Sequence, residues 1–470
     1  MLVHICCSVD SHYFLSELQK AYPSENLIGF FYNPNIHPKS EHDLRLKDVR
    51  RSCEMLGVRL IEGRYDTDEW IEGVRGLEEE PEKGKRCERC FDIRLERSAE
   101  VASEMGEVRF TSTLLASPMK EQEILYAQGD IIARAKNLDF VKINVRANGG
   151  VNKQNALAKR DNLYRQNYCG CKYALEKQRE KQGRYSLEMM SDVGRRALPA
   201  SIDERMAVFA KRDALEKEGK KYILTQRKKR IYRVLKHTLF VNRESVSNYV
   251  LAHSEPKKVK MELLSWVEML VDFDNGLSDD FGGDFSVLES CEDMYPKGQE
   301  KHIAHADRNA KTTKLSAGIS VKNTKKQNLA QNQYTKNVTK ITIGISPKDD
   351  TIFLPLKSFN TLVNAQYKSA SEIARNPIKY EKELDLRYRL CRYESINPIV
   401  VVDDCLCVGE FGANADVENA LVFAKKDFSK STQQVSANQK SKNPASQNPI
   451  SLHIESFFQD EKVFEIIEIG

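Results

Sequence analysis

The sequence predicts an α/β fold: a doubly wound parallel sheet in residues 1–190, followed by an accessory α+β region. Three observations carry this. Strand-like and helix-like segments alternate over residues 1–175, the βαβ rhythm of a parallel sheet covered on both faces. Six of the 11 cysteines fall in this half as three close pairs, Cys6/Cys7, Cys87/Cys90 and Cys169/Cys171. Beyond residue 200 the rhythm is lost, and basic, acidic and polar stretches follow one another.

Each element can be justified in order. Leu2–Cys6 is a short apolar strand. It runs into Cys6 and Cys7, then Ser8 and Asp10, which are good helix N-cap residues, before a helical stretch at 11–21. Neighbouring cysteines in a strict strand point to opposite faces, so both serve one site only if the backbone turns there. A thiol at a helix N-terminus is more often thiolate, the form that binds metal or attacks. Leu27–Phe31 is the second strand. Tyr32-Asn33-Pro34-Asn35-Ile36-His37-Pro38 follows as an extended loop set by two prolines, with His37 either a site residue or neutral filler. In helix 39–56, Leu46, Val49, Cys53 and Leu56 form one apolar face, which makes Cys53 a core filler. Lys39, Arg45, Lys47, Arg50 and Arg51 read as a solvated face, and less readily as a phosphate contact.

Strand Val58–Glu62 and helix 67–76 lead through a charged loop to Cys87-Glu88-Arg89-Cys90, at the entry to helix 88–104. A C-x-x-C at a helix entry aims two sulfurs at one point, a metal or redox arrangement. Arg94, one turn on, is a partner for an anionic cluster or substrate, or a plain surface arginine. Val108–Leu114 is the fourth strand. Ser117 and Pro118 then have the form of an N-cap and first helical residue, predicting a helix over 118–134. Asp139–Val145 is the fifth strand. In Tyr168-Cys169-Gly170-Cys171 the glycine permits the backbone that a close disulfide or a shared metal needs. Ligands of doubly wound sheets sit outside the carboxyl ends of the strands, where strand order reverses, and Cys6 and Cys7 stand at such an end. The three pairs are therefore expected to converge. Cys6, Cys7, Cys87 and Cys90 make four sulfurs, the complement of a tetrahedral zinc or a cubane iron–sulfur cluster.

Hydrophobic content of 40% and charged content of 30% describe a soluble protein with some disordered segments. No apolar run approaches the ~18 residues of a membrane span, and the first residues are too polar for a secretory signal. The expected location is the cytoplasm, where cysteines act as ligands, catalysts or core fillers. A net charge of +5 neither requires nor excludes a nucleic-acid partner.

His4-Ile5-Cys6-Cys7, the Tyr32–Pro38 loop, Cys87-Glu88-Arg89-Cys90 with Arg94, and Tyr168-Cys169-Gly170-Cys171 together resemble the QueH-type epoxyqueuosine reductases, over residues 1–180. The resemblance implies a HUP-like fold, a [4Fe-4S] cluster with an additional iron as an option, and tRNA of the GUN anticodon class carrying epoxyqueuosine at its wobble position. It also implies an electron donor, which the sequence does not identify. Removing the epoxide oxygen takes two electrons and two protons and releases water. Under this resemblance Cys169 and Cys171 are the redox dithiol that closes to a disulfide, and Cys6, Cys7, Cys87 and Cys90 hold the cluster. Asp10 stands where many members carry a further cysteine, and is an iron ligand through oxygen at most. His37, Arg94 and Tyr168 are candidates for substrate contact or for support of the ligands. Two other readings exist. Ser8-Val9-Asp10-Ser11 also resembles a degenerate phosphate loop of ATP pyrophosphatases, some of which are cluster-bearing tRNA thiolases, but it lacks the cradling glycines. The non-enzymatic reading is a zinc-stapled RNA-binding module.

The resemblance stops near Gln182. Residues 200–300 form a basic then acidic accessory segment: 16 Lys/Arg against 7 Asp/Glu over 201–260, then 11 Asp/Glu against one Lys over 261–300. Arg227-Lys228-Lys229-Arg230, with Tyr222, Tyr232 and Phe240 nearby, suits RNA, or equally a basic face over core aromatics. Residues 301–340 read as a disordered linker. Residues 341–470 read as an α+β region: a hairpin around Pro347–Asp350, helices over 357–390, a strand run Pro398–Val408 with structural Cys405 and Cys407, a polar linker at 429–449, and an alternating strand Leu452–Ile469.

Overall fold

Five short strands, β1 (Leu2–Ile5), β2 (Ile28–Phe31), β3 (Arg59–Glu62), β4 (Arg109–Ser112) and β5 (Asp139–Phe140), form an all-parallel sheet in the order β3-β2-β1-β4-β5. The computed structural model describes residues 1–192, 196–261, 264–272, 338–346, 349, 351–391, 395–404 and 450–469. The expected linker at 429–449, nearly all of that at 301–340, most of the acidic stretch, the tip of the 347–350 hairpin, and Cys405 and Cys407 lie outside these residues.

Strand order reverses at β1, so the crevice for a ligand lies beyond the carboxyl ends of β1 and β4. Leu2, Val3, Ile5, Phe30, Phe31 and Phe110 are buried between the covering helices. His4 is buried among them; its ring bonds Ser112 Oγ at 2.8 Å and the Tyr32 carbonyl at 3.1 Å. Burial, and secondarily Arg94, push its pKa well down, so it is a neutral pin between β4 and the loop after β2.

The helices are α1 (Ser8–Ala21), α2 (Lys39–Leu56), α3 (Thr67–Gly73), α4 (Lys85–Glu104), α5 (Gln122–Lys136), α6 (Gly150–Arg160), α7 (Lys172–Lys181) and α8 (Ile202–Lys217). Three sequence expectations change. The helix after β4 does not start at Ser117–Pro118. The chain makes a 3-10 turn at Thr113–Ala116, capped by Ser112 Oγ, and α5 starts at Gln122. Arg146 holds the intervening turn open by bonding the carbonyls of Leu115 and Lys120 at 2.8 Å each. β5 is two residues long rather than seven, pairing only with Arg109 and Phe110 of β4.

The third change concerns the basic face of α2, of which only Lys39 and Arg50 stay exposed, while every one of its five cations meets an acid. Lys47 and Arg51 pair with Asp213 and Glu216 of α8, Arg50 pairs with Glu62, and Arg45 is buried against Glu41 at 2.7 Å. Only Lys39 keeps an exposed ammonium, paired with Asp43. Cys53 is 1% exposed in the core, as its spacing predicts, and burial pushes its thiol up to about 12.

The chain divides into two compact units. The first comprises Met1–Ser265, Gly344–Asn414 and Gln433–Gly470, so much of the accessory region packs with the parallel sheet. Ile202 and Phe209 of α8 pack on Leu44 and Tyr164. Next comes a 21-residue strand, β6 (Lys221–Val241), then β7 (Glu244–Ser245), β8 (Asn248–Val250) and β9 (Lys257–Met261). Later elements are β10 (Ser265–Asp272), β11 (Val338–Ile345), β12 (Ile352–Pro355), α9 (Leu356–Val363), α10 (Ala370–Arg375), α11 (Tyr380–Cys391), β13 (Ile399–Val402) and β14 (Ile450–Ile469). β6 and β14 pair antiparallel along their whole length, with one bulge at Glu455/Ser456. β7 borders β6 and β9 borders β14. The buried strand β13 pairs with β12 and β8. The second unit, Trp266–Ile343 and Ala415–Thr432, holds most of β10 and β11, joined by a Lys340–Glu268 ion pair of 2.5 Å.

Two of the four charges of the basic tetrad of β6 are ion-paired with β14. Arg227 pairs with Glu465 at 2.6 Å, Lys228 with Asp460 at 2.9 Å, and Arg230 lies over the Phe458 ring. Tyr232 is buried in a cluster with Leu198, Ala252 and Tyr380.

Candidate active site

Cys6, Cys7, Cys87, Cys90, Cys169 and Cys171 all line one cavity of about 320 Å³. Every one of the six is a free thiol. β1 ends at Ile5, and Cys7 is the N-cap of α1, so the turn that lets adjacent cysteines share a site falls between them. The Sγ atoms of Cys6 and Cys7 are 3.9 Å apart, and Asp10 Oδ2 is 3.4 Å from Cys6 Sγ. These three residues form a ligand-like group with all donor atoms within 4.8 Å. Thr113 donates to Cys6 Sγ at 3.2 Å, and Gln154 Nε2 donates to Asp10 Oδ1 at 2.7 Å. The neighbouring Cys6 sulfur and burial push the Cys7 thiol well up; burial also raises the Asp10 carboxyl.

Cys87 and Cys90 lie three apart in the first two turns of α4, so both face the cavity. The Lys83 amide donates to Cys87 Sγ at 3.2 Å. Arg86, 1% exposed, fastens the preceding loop by bonding the carbonyls of Leu77, Glu78 and Glu80. Arg94 also lines the cavity and is buried, bonded to Asn33 Oδ1 at 2.5 Å, while Asn33 bonds the Ile5 carbonyl at 2.8 Å. It is no surface arginine. It braces the end of β1.

The Cys169-Gly170-Cys171 turn leads into α7, with Cys171 as its N-cap. Burial raises the Cys171 thiol to about 12. Arg45 forks onto the carbonyls of Tyr168 and Cys169, at 3.1 Å each. Gly170 has φ +109°, and a Cβ there would meet Ile36 Cγ1 at 2.7 Å. Gly170→Ala should therefore deform the turn, at a cost of about 1–3 kcal/mol. We expect a soluble variant with reduced turnover, checked by a denaturant melt beside an activity assay.

His37 does not line the cavity. It is buried behind the turn, with Nδ1 on the Asn35 carbonyl and Nε2 on Thr67. Its amide donates to the Gly170 carbonyl at 2.8 Å, and its own carbonyl accepts the Tyr168 hydroxyl. His37 and Tyr168 thus stitch the proline loop to the C-x-C turn; the Tyr168 ring does reach the cavity wall, under the Arg45 guanidinium.

Several cavity residues were not singled out from the sequence. Lys120 sits on the turn that replaces the expected helix start, its ammonium 5.6 Å from the Phe91 ring centre. Burial opposes its charge, but Cys169 and Cys87 more than offset this and raise its pKa. Gln154 comes from α6 and Gln166 from the stretch before Cys169. The buried oxygens of Asn35, Gln154 and Gln166, and nitrogens of Trp70, Arg86 and Arg94, have no hydrogen-bond partner among the described residues. The signal for Lys120 was a Ser-Pro start displaced by four residues; the glutamines gave none.

The model of the epoxyqueuosine reductase QueH family matches residues 1–177. An epoxyqueuosine reductase QueH of Helicobacter pylori is 38% identical over 413 residues, covering 86% of this chain and 94% of that protein. The chain belongs to the QueH family. It is an epoxyqueuosine reductase, an oxidoreductase acting on tRNA in queuosine synthesis. The QueH of Acinetobacter baylyi is also 38% identical, over 193 residues that make 40% of this chain and 88% of that protein. The long accessory region is thus shared with the Helicobacter QueH, whereas the match to the Acinetobacter QueH takes in only 40% of the chain. A solved U34-tRNA thiolase NcsA of Methanococcus maripaludis, with its [4Fe-4S] cluster, overlaps 46% of this chain and 67% of its own at 16% identity; the TM-score of 0.26 is too low to bear on function. Among the described residues no helix is long and apolar enough to cross a membrane.

Proposed function

We propose that this cavity reduces epoxyqueuosine at the wobble position of GUN-anticodon tRNA in the cytoplasm, with Cys169 and Cys171 as the immediate electron source. The observation that carries the reading is the convergence of three cysteine pairs on one cavity. The overall step balances. Two S–H bonds of the dithiol break and one S–S bond forms, giving up two electrons and two protons; the epoxide loses both C–O bonds, becomes an alkene, and its oxygen leaves as water. An external two-electron donor must then reopen the disulfide.

Cys6, Cys7, Cys87 and Cys90 would hold a [4Fe-4S] cluster, with Asp10 available to the same or an additional iron. The surroundings suit that anionic group: an amide and a hydroxyl already donate to two of the sulfurs, and unpartnered nitrogens of Arg86 and Arg94 stand in the wall. When bound, the cluster supplies Lewis acidity toward an oxygen or a path for electrons. The remaining work falls to the chain. Arg45 and the His37–Tyr168 stitch hold the dithiol turn in place. Asn35, Gln154 and Gln166 offer free acceptor oxygens that orient a nucleoside's polar groups. Lys120 sets a cation, and a proton, beside the oxygen that leaves. Against the thiolase reading, the Ser8 hydroxyl is committed to Asp48 rather than free for a phosphate.

Serine at 169 or 171 should leave the cluster spectrum intact and abolish multiple turnover. Serine at 87 or 90 should lose the cluster, because a hard oxygen holds cluster iron poorly. Protein purified without oxygen, then analysed for iron and sulfide, tests the second point; colourless protein with stoichiometric zinc would refute it. Alkylation and mass spectrometry across one turnover test the first. Both thiols still free after product has formed, with no reductant added, would mean that the electrons came from elsewhere.

A further inference from the structure

We infer that the open face of the β6–β14–β9 sheet is a second RNA-contacting surface, which grips the tRNA body while the cavity holds the modified nucleoside. The inference rests on the epoxyqueuosine reductase activity and adds a surface to it. A cavity of about 320 Å³ takes a group of nucleoside size. The rest of the polyanion must lie elsewhere on the protein.

The sheet register defines the surface. Phe240, Ser451 and Lys260 form one row across the three strands, Thr238, His453 and Lys258 the next, and Lys236 faces Glu455 in the third. Alternation puts these side chains on one face. The opposite face carries Leu239, Leu452, Ile454 and Met261, each buried to 1% exposure or less. On the open face Lys236, Lys258 and Lys260 are exposed, and Phe240 keeps 37% of its surface in water.

Two features separate this face from an ordinary solvated one. First, among the described residues none of its three lysines has an ion-pair partner. Its acid, Glu455, lies beside His453 at 3.4 Å. By contrast Lys257, the neighbouring lysine on the opposite face of β9, is paired with Glu255 and Asp349. Second, a large aromatic ring stands exposed in the same rows, with only the small Ser451 between it and Lys260. Lysines beside an exposed ring are what a nucleic-acid strand requires, phosphates on the ammonium groups and a base on the ring. RNA is the occupant these groups favour, since the enzyme's substrate is a tRNA. An acidic partner, including the chain's own acidic residues 261–300, would satisfy the lysines but has no use for the ring.

The test uses the full chain with Lys236, Lys258 and Lys260 all changed to Glu, and separately Phe240→Leu. Affinity for tRNA is measured across a salt series, beside the single-turnover rate at saturating tRNA. The triple variant should bind at least about tenfold more weakly, with a salt slope smaller by about 2–3. Phe240→Leu should weaken binding several-fold and leave the slope alone. Both should keep the wild-type rate at saturation. A triple Lys→Gln variant, gentler on the fold, should move affinity and slope the same way by less. Unchanged affinity and slope would overturn the surface. So would tighter binding, which would mean that an acidic segment occupies it. Failure of wild-type enzyme to deoxygenate tRNA would instead refute the activity, independently of these variants.

Discussion

Arg212→Ala is expected to destabilise the protein by about 3–5 kcal/mol and, with the cluster proposed above, to lower the iron it retains. Arg212 belongs to α8, beyond the residues that the family model matches, yet it is fully buried in the sheet domain. Its guanidinium bonds Asp48 Oδ1 at 2.6 Å and the Asn162 carbonyl at 2.8 Å. Asp48 in turn accepts the Ser8 hydroxyl and the Tyr164 amide. Ser8 immediately follows Cys7. Removing the guanidinium leaves Asp48, 1% exposed, with a charge and no counter-ion. A denaturant melt compares the variants, with iron content read on the same samples. Asp48→Asn combined with Arg212→Leu should recover part of the loss; if the single variant melts with the wild type, the pair is not holding α8 to the site.

Arg45→Lys should lose roughly 10²-fold in turnover, the scale of a displacement of about 1 Å in a reacting group, and leave unchanged the spectrum of the cluster proposed above. Lysine keeps the charge beside Glu41. It lacks the fork that spans the Tyr168 and Cys169 carbonyls. The positioning network runs further: Tyr164 donates to Glu41 at 2.8 Å, Arg205 of α8 lies 3.4 Å from that hydroxyl, and Glu188 takes both Arg179 and Arg205. Single-turnover assays, with the Cys169/Cys171 reduction potential measured alongside, separate this from general loosening. An unchanged potential with wild-type turnover would remove Arg45 from the mechanism.

The parts of the fold that depend on local pattern could be read from the chain. β1 to β4, the apolar stripe holding Cys53, and the convergence of three cysteine pairs each follow from periodicity or from the rule on strand carboxyl ends. What failed depended on distant partners. Lys47 and Arg51 look like a solvated face until α8 arrives with Asp213 and Glu216, some 165 residues on. Ser117–Pro118 is a sound helix start on its own, and Arg146, thirty residues later, overrules it. The tetrad Arg227–Arg230 drew attention by density, but two of its charges pair with β14, and the unpaired lysines are scattered over two strands that only the register brings together. Lys120 has no motif; only the displaced turn sets it beside sulfur.

The long pairing of β6 with β14 has a consequence for how the protein is made. Roughly 200 residues lie between the two strands, so a ribosome adding about 5–20 residues per second leaves β6 without its main partner for some 10–40 s. During that wait β6 is a 21-residue strand paired only at its end, with β7, and a long open edge is the kind of segment that seeds aggregation. Arg227, Lys228, Lys229 and Arg230 sit in the middle of it. Four adjacent cations repel a second copy of such a strand, so the tetrad is placed where it opposes pairing between chains until Asp460 and Glu465 of β14 arrive.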